Sequence, residues 1–142
     1  VLYLDTGCLV KLYYPESESA AVARAVIGRT IIFTDLHQLE ITTAMQLKAF
    51  RGEASRERVT AALDLVREDL STGKLLRGSV GLQAAMRDAI SMSLAHAALI
   101  GCRSLDILHC ALAKATGAAA FVSTDTRQIA VARAESLHVL DL

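Results

Sequence analysis

Short apolar runs alternate with longer helical stretches along the whole chain, and that alternation narrows the possible folds more than any other feature. Residues 1–4, 30–34 and 119–123 are brief, rich in β-branched or aromatic side chains and nearly uninterrupted by polar ones, as strands buried on both faces are. Residues 75–80 and 138–140 are weaker strand candidates. Between them, residues 8–14, 17–27, 36–50, 56–70, 82–100, 105–116 and 127–136 carry helical patterning. Pro15 separates the first two helices, Ser55 is placed to cap the fourth, and Gly73 ends it. The alternation predicts an α/β layer fold with a mainly parallel sheet. With 142 residues, one Pro, no low-complexity tract and no repeat, a single domain over 1–142 is expected.

In an open parallel sheet, ligands bind beyond the carboxyl ends of the strands, so acids at those ends are informative. Asp5 directly follows Val-Leu-Tyr-Leu, Asp125 follows Phe-Val-Ser-Thr, and Asp35 closes the run at 30–34. Asp35-Leu-His-Gln38 has the form of a capping box, which favours a helix cap over chemistry for Asp35. Asp125-Thr-Arg-Gln128 has the same form, so capping and metal chemistry stand level there. Either Asp5 or Thr6 is placed to cap the helix that follows them.

Two further acids occur where an apolar side chain is expected. A turn of about 100° per helical residue puts Glu40 within a stripe of Leu36, Leu39, Thr43, Leu47 and Phe50, which reads as core-facing. A buried carboxylate costs several kcal/mol unless it is paired or bound to a cation, and that favours a ligand over an edge acid reaching solvent or an Arg. Asp106 is the only acid in the apolar run 105–113, a helix expected to be buried and capped by Ser104. Helix-dipole stabilisation of about 0.3–1 kcal/mol does not by itself justify a buried acid there; a metal or an Arg partner would.

If Asp5, Glu40, Asp106 and Asp125 converge, they form an all-oxygen, strongly anionic pocket. Such a pocket suits Mg²⁺ or Mn²⁺ and not Zn²⁺, since no Cys/His set accompanies it. It would activate water, orient a phosphodiester and neutralise the leaving oxygen. Like-charge crowding is expected to raise some of these pKa values in the metal-free protein. The reading fails if Glu40 and Asp106 point away from Asp5, each satisfied by its own arginine.

The remaining composition sets bounds. Fifteen basic and fifteen acidic residues leave no net charge, so any grip on a nucleic-acid backbone must come from a local patch. Three Tyr, three Phe and no Trp offer little for base stacking. Cys8, Cys102 and Cys110 lack C-x-x-C spacing and read as buried small hydrophobes in a reducing compartment. The apolar stretch 92–112 is interrupted by His96, Arg103, Asp106 and His109, so no bilayer span is expected and a cytoplasmic location is. His109, one turn beyond Asp106, reads as a packed histidine bonded to a carbonyl rather than as a general base.

The opening Leu-Tyr-Leu-Asp5-Thr6-Gly7-Cys-Leu-Val-Lys11-Leu-Tyr resembles the first motif of PIN domains, in particular the VapC-type toxins of prokaryotic toxin–antitoxin pairs. Leu39-Glu40 resembles their second motif, Arg103-Ser-Leu-Asp106-Ile-Leu-His109 the third, and Phe121-Val-Ser-Thr124-Asp125-Thr-Arg127 the fourth. Each motif alone is weak, and the four in order across the chain are specific. The resemblance implies a Rossmann-like three-layer α/β/α fold and Mg²⁺- or Mn²⁺-dependent RNA cleavage leaving a 5′-phosphate and a 3′-hydroxyl. It also implies a homodimer held inactive by a cognate antitoxin over the active-site groove. Asp5, Glu40, Asp106 and Asp125 match the family's acidic metal positions, and Thr6 and Thr124 match hydroxyl positions that order acids or water. Asp5, Glu40 and Asp106 are expected to hold one ion, with Asp125 completing that shell or supporting a second ion. Gly7 stands where Ser or Ala is frequent, which is expected to loosen the loop after Asp5. Lys11, Lys48, Arg51, Arg103 and Arg127 lie near the motifs and are candidates for binding the RNA backbone, although any one of them taken singly reads more readily as an ordinary solvated cation.

Two rival readings remain. An aspartyl-nucleophile phosphatase would want an acid two residues after Asp5, where Gly7 stands. A non-catalytic module could use the same scaffold to dock an antitoxin or RNA.

Overall fold

Four three-residue strands, β1 (Leu2–Leu4), β2 (Ile31–Phe33), β3 (Leu75–Arg77) and β4 (Ala120–Val122), pair in the order β3-β2-β1-β4. Every pairing is parallel. The structure, a computed structural model, describes residues 1–142. Seven helices connect and cover the strands: α1 (Thr6–Tyr13), α2 (Ser19–Val26), α3 (Asp35–Phe50), α4 (Arg56–Ser71), α5 (Leu82–Ile100), α6 (Ser104–Ala115) and α7 (Thr126–Ala134).

Successive strand side chains point to opposite faces of a sheet, and that rule builds the layers here. Leu2, Leu4, Ile31, Phe33, Ala120 and Val122 share one core with Leu9 of α1, Val22 of α2, Met45 of α3 and Val66 of α4. Tyr3, Ile32 and Phe121 face the other way, into a second core with Ala89 of α5, Leu112 of α6 and Val131 of α7. The result is the three-layer α/β/α sandwich with a parallel sheet. The chain moves from β1 outward to β2 and β3, then crosses to the other side of β1 to place β4. Strand order therefore reverses between β1 and β4, and at such a point a crevice opens at the carboxyl ends. Asp5 and Asp125 stand just beyond those two ends.

Local chemistry sets the helix starts, and at α1, α3 and α6 it accounts for a departure from the sequence expectations. Helix α1 begins two residues earlier than expected because Asp5 caps it, accepting from the Cys8 N–H. Helix α3 is capped by Thr34 and not by Asp35; His37 occupies the third helical position and accepts from the Thr34 N–H. Asp35 is the first helical residue, its side chain 92% exposed and loosely paired with Arg77. Helix α6 starts at Ser104 with Arg103 at its cap position and no side-chain cap bond.

The core-facing side of α3 also differs. Leu36, His37, Ile41, Met45 and Lys48 are its buried residues. Leu39 is 66% and Phe50 86% exposed; of the expected stripe, Leu39, Thr43 and Leu47 line an open groove with Glu40 at its wall. A strand at 138–140 does not form; Val139 makes a single parallel bridge to Phe121. All three cysteines are free and buried. No helix is long and apolar enough to cross a membrane.

Candidate active site

Asp5 leaves β1 pinned to β4, since its backbone N–H donates to the Val122 carbonyl at 2.9 Å. Its side chain is 7% exposed, and both oxygens are engaged. Oδ1 accepts from the Cys8 N–H at 2.6 Å, at the positive end of α1 where an anion is favoured. Oδ2 lies in hydrogen-bond contact with the Ser123 hydroxyl. Ser123 Oγ also lies 2.7 Å from Gln128 Oε1, so its single proton serves one of the two oxygens at a time. The Gln128 amide in turn donates to the Asp106 carbonyl at 3.1 Å, and the Asp125 N–H donates to Ser123 Oγ at 3.0 Å. Buried Ser123 and Gln128 thus tie Asp5 to the acid-bearing starts of α6 and α7. Ser123 was not singled out in the sequence, and Gln128 was read only as the far end of a capping box, whereas its side chain bonds Ser123 and Asp106 and the Asp125 N–H goes to Ser123.

Glu40 approaches from α3. The Thr6 hydroxyl, on the residue after Asp5, donates to Glu40 Oε2 at 2.6 Å. His109 Nε2 lies 2.6 Å from the same oxygen, and the Tyr3 hydroxyl lies 2.9 Å from His109 Nδ1. Burial pushes the Glu40 carboxyl up, but the bonds from His109 and Thr6 outweigh it and hold the group below its ordinary range. The expected upward shift by like charges is thus reversed for Glu40, whose neighbours are donors rather than acids. His109 is likewise bonded to a carboxylate and not to a carbonyl. The carbonyl-bonded histidine is His37, whose Nε2 lies 2.8 Å from the Leu4 oxygen. Gly7 lies inside α1 without a left-handed φ, and an added Cβ would meet nothing closer than 3.5 Å, so no loosened loop follows from it.

Asp106 and Asp125 share a polar cleft of about 380 Å³ with Gly101, Arg103, Thr124, Thr126 and Arg127. Arg103 Nε sits 3.1 Å from Asp106 Oδ2, an exposed pair within one helical turn. Asp125 caps α7, one of the two readings its sequence context left level, its Oδ1 accepting from the N–H groups of Arg127 (2.8 Å) and Gln128 (3.1 Å). Thr6, Glu40, Lys11, Lys48, Arg51 and Leu105 line a second cleft, of about 610 Å³. The two adjoin where the Lys11 ammonium reaches the Thr124 hydroxyl at 3.4 Å. Thr6 therefore orders an acid, whereas Thr124 touches a cation.

The four acids do not form a closed cage; no three His, Cys, Asp or Glu side chains are arranged as a preformed ligand set. Of the two acids whose own arginines would have ended the reading, Asp106 has one and Glu40 does not. The donor set still fits a hard cation. Glu40 Oε1, Asp106 Oδ1 and Asp125 Oδ2 each lack a protein hydrogen-bond partner, while the second oxygen of each carboxylate is engaged. Mg²⁺ keeps several waters and is commonly bound through one or two carboxylates plus substrate phosphate, which an open crevice with free carboxylate oxygens supplies.

All five candidate RNA-binding cations line one of the two clefts, and all are already occupied. Lys11 pairs with Glu18 (3.2 Å), Lys48 with Glu16 (2.6 Å), Arg51 with Glu53 (2.7 Å) and Arg103 with Asp106. Arg127 donates to the Gly101 carbonyl at 3.3 Å.

A family model described as PIN domain matches residues 2–134. No curated protein matches the chain. Among solved structures, VapBC2 from Rickettsia felis bound to a DNA fragment from its promoter is similar over 99% of this chain and 98% of that one, with TM-score 0.62 and 16% identity. FitAcB from Neisseria gonorrhoeae is similar over 99% and 97%, with TM-score 0.62 and 16% identity. Mycobacterium tuberculosis VapC20, a sarcin–ricin loop cleaving toxin, is similar over 92% and 94%, with TM-score 0.63 and 14% identity.

Proposed function

Because the chain belongs to the PIN-domain family, we propose that it is one PIN domain over residues 1–142 acting as a metal-dependent endoribonuclease, the toxin of a toxin–antitoxin pair. The observation that carries this reading is the crevice between β1 and β4. Acids from two strand ends, Asp5 and Asp125, and from two helices, Glu40 of α3 and Asp106 of α6, border it or its adjoining clefts. Asp5, Glu40 and Asp106 would hold Mg²⁺ or Mn²⁺ directly or through water, with Asp125 completing the shell. A bound divalent ion supplies Lewis acidity toward water and the scissile phosphate. The chain itself fixes the acids, Asp5 through the α1 N-terminus and Ser123, Glu40 through Thr6 and His109. Lys11, Lys48, Arg51, Arg103 and Arg127 would place RNA phosphates along the clefts after exchanging their present partners.

The proposed protein partner is a cognate antitoxin, on analogy with the VapBC2 and FitAcB structures. The groove beside α3 suits one: Leu39, Leu47 and Leu105 offer apolar contact, and Lys11, Lys48 and Arg51 favour acidic side chains. A homodimer is proposed on kinship alone, as is a cytoplasmic location.

Incubation of the purified protein with assorted RNAs in Mg²⁺, Mn²⁺ or EDTA tests the reading. Fragments that need the metal and vanish in Asp5→Asn and Asp106→Asn are the expected result. RNA binding without fragments under every condition would identify a binding module, and phosphate release from small esters a phosphatase.

A further inference from the structure

We propose that His109, oriented by Tyr3, is a positioning residue for the candidate cation site, fixing which oxygen of Glu40 is left for the ion. This rests on the reading of Glu40 as a cation ligand. Three short contacts carry it: Tyr3 Oη to His109 Nδ1 at 2.9 Å, His109 Nε2 to Glu40 Oε2 at 2.6 Å, and Thr6 Oγ1 to the same Oε2 at 2.6 Å. Tyr3 and His109 are both buried, and His37 packs against the His109 ring at a centroid distance of 5.1 Å.

Hydrogen-bond accounting fixes the direction of the chain. The Glu40 carboxylate can only accept, so its 2.6 Å contact places a proton on His109 Nε2, while the Tyr3 hydroxyl lies 2.9 Å from Nδ1. Nε2–H therefore donates to Glu40, and the Tyr3 hydroxyl holds the ring from its Nδ1 side. Oε2 receives two donors and Oε1 none, so the carboxylate is held in one rotation with Oε1 as its free donor atom. Outer-shell partners of this kind commonly change metal affinity by about 10–100-fold when removed.

The test is Mn²⁺ titration followed by electron paramagnetic resonance, on wild type, Glu40→Gln, His109→Ala, His109→Gln and Tyr3→Phe, each with a thermal melt. His109→Ala is expected to weaken Mn²⁺ binding by about 10–100-fold. His109→Gln, whose amide can still donate to Oε2, is expected to recover most of that affinity even where its melting temperature stays low. Tyr3→Phe removes one hydroxyl from a site that otherwise keeps its packing, so it remains informative if His109→Ala does not fold. It frees the ring to place its proton on Nδ1, and a several-fold loss of Mn²⁺ affinity should accompany a change in the imidazole ¹⁵N shifts. If Glu40→Gln loses Mn²⁺ while His109→Ala and Tyr3→Phe bind like wild type, the positioning role is refuted and the cation site stands. If wild type binds no Mn²⁺, both fail.

Discussion

His37 makes a sharp prediction about acid stability. Its ring is fully buried on α3, with Nδ1 accepting from the Thr34 N–H at 3.0 Å and Nε2 donating to the Leu4 carbonyl at 2.8 Å. No atom of the ring is left to accommodate a second proton. Burial, reinforced by neighbouring His109, pushes its pKa down from 6.5 to about 3. Between those values the unfolded chain binds a proton that the folded chain refuses. Stability from this group is therefore complete above pH 6.5 and declines as pH falls toward 3, by about 1.4 kcal/mol per pH unit. At pH 5 the loss reaches about 2 kcal/mol, a large part of a domain margin of roughly 5–15 kcal/mol. Urea unfolding of wild type and His37→Asn at pH 7.5, 6 and 5 measures it. The variant should be less stable at pH 7.5 and should show a pH slope shallower by about 1.4 kcal/mol per unit, since the other histidines are common to both proteins. Equal slopes would refute the reasoning.

Three further outcomes are expected. Asp125→Ala removes an acceptor for two N–H groups of α7 and should cost about 1 kcal/mol in urea unfolding, yet reduce RNA cleavage by far more than that loss explains. Glu16→Gln with Glu18→Gln should release Lys11 and leave Lys48 only its longer pair with Glu53 at 3.8 Å; RNA should then bind more tightly at low salt, with the log–log salt slope steeper by about one to two in a filter-binding assay. Phe121→Ala, which empties a site stacked on Tyr3 at a centroid distance of 5.9 Å, should destabilise the protein by about 3–5 kcal/mol in the same melts.

Much of the architecture was legible because each strand is a short apolar run that delivers a polar residue at its end. The span of α5 is read correctly from sequence, as it is bounded by Gly81 and by Gly101, the latter in the left-handed conformation at φ 73°. The face of α3 was not legible. Its buried positions include His37 and Lys48, which look polar, whereas exposed Leu39 and Phe50 look like core. His37 is satisfied by backbone groups on β1 and at the end of β2, and Lys48 buries its stem while its ammonium meets Glu16. The cap of α3 was displaced by one residue because Thr34 and Asp35 are both good N-cap residues, and only the conformation at Thr34 decides between them. Within the site, the acids stood out by residue type and position. Of the groups that orient them, Thr6 stood out beside Asp5, whereas the distant ones did not, since His109 lies 69 residues from Glu40 and Ser123 lies 118 from Asp5.

Anomalous diffraction at the manganese edge, from crystals grown with Mn²⁺, bears most directly on the central claim. A peak at the crevice between the carboxyl ends of β1 and β4, with Glu40 Oε1 and an oxygen of Asp106 turned toward it, is the expected result. Crystals with the crevice accessible and no peak there, or with manganese bound only at peripheral acids such as Asp35 or Asp64, would contradict it.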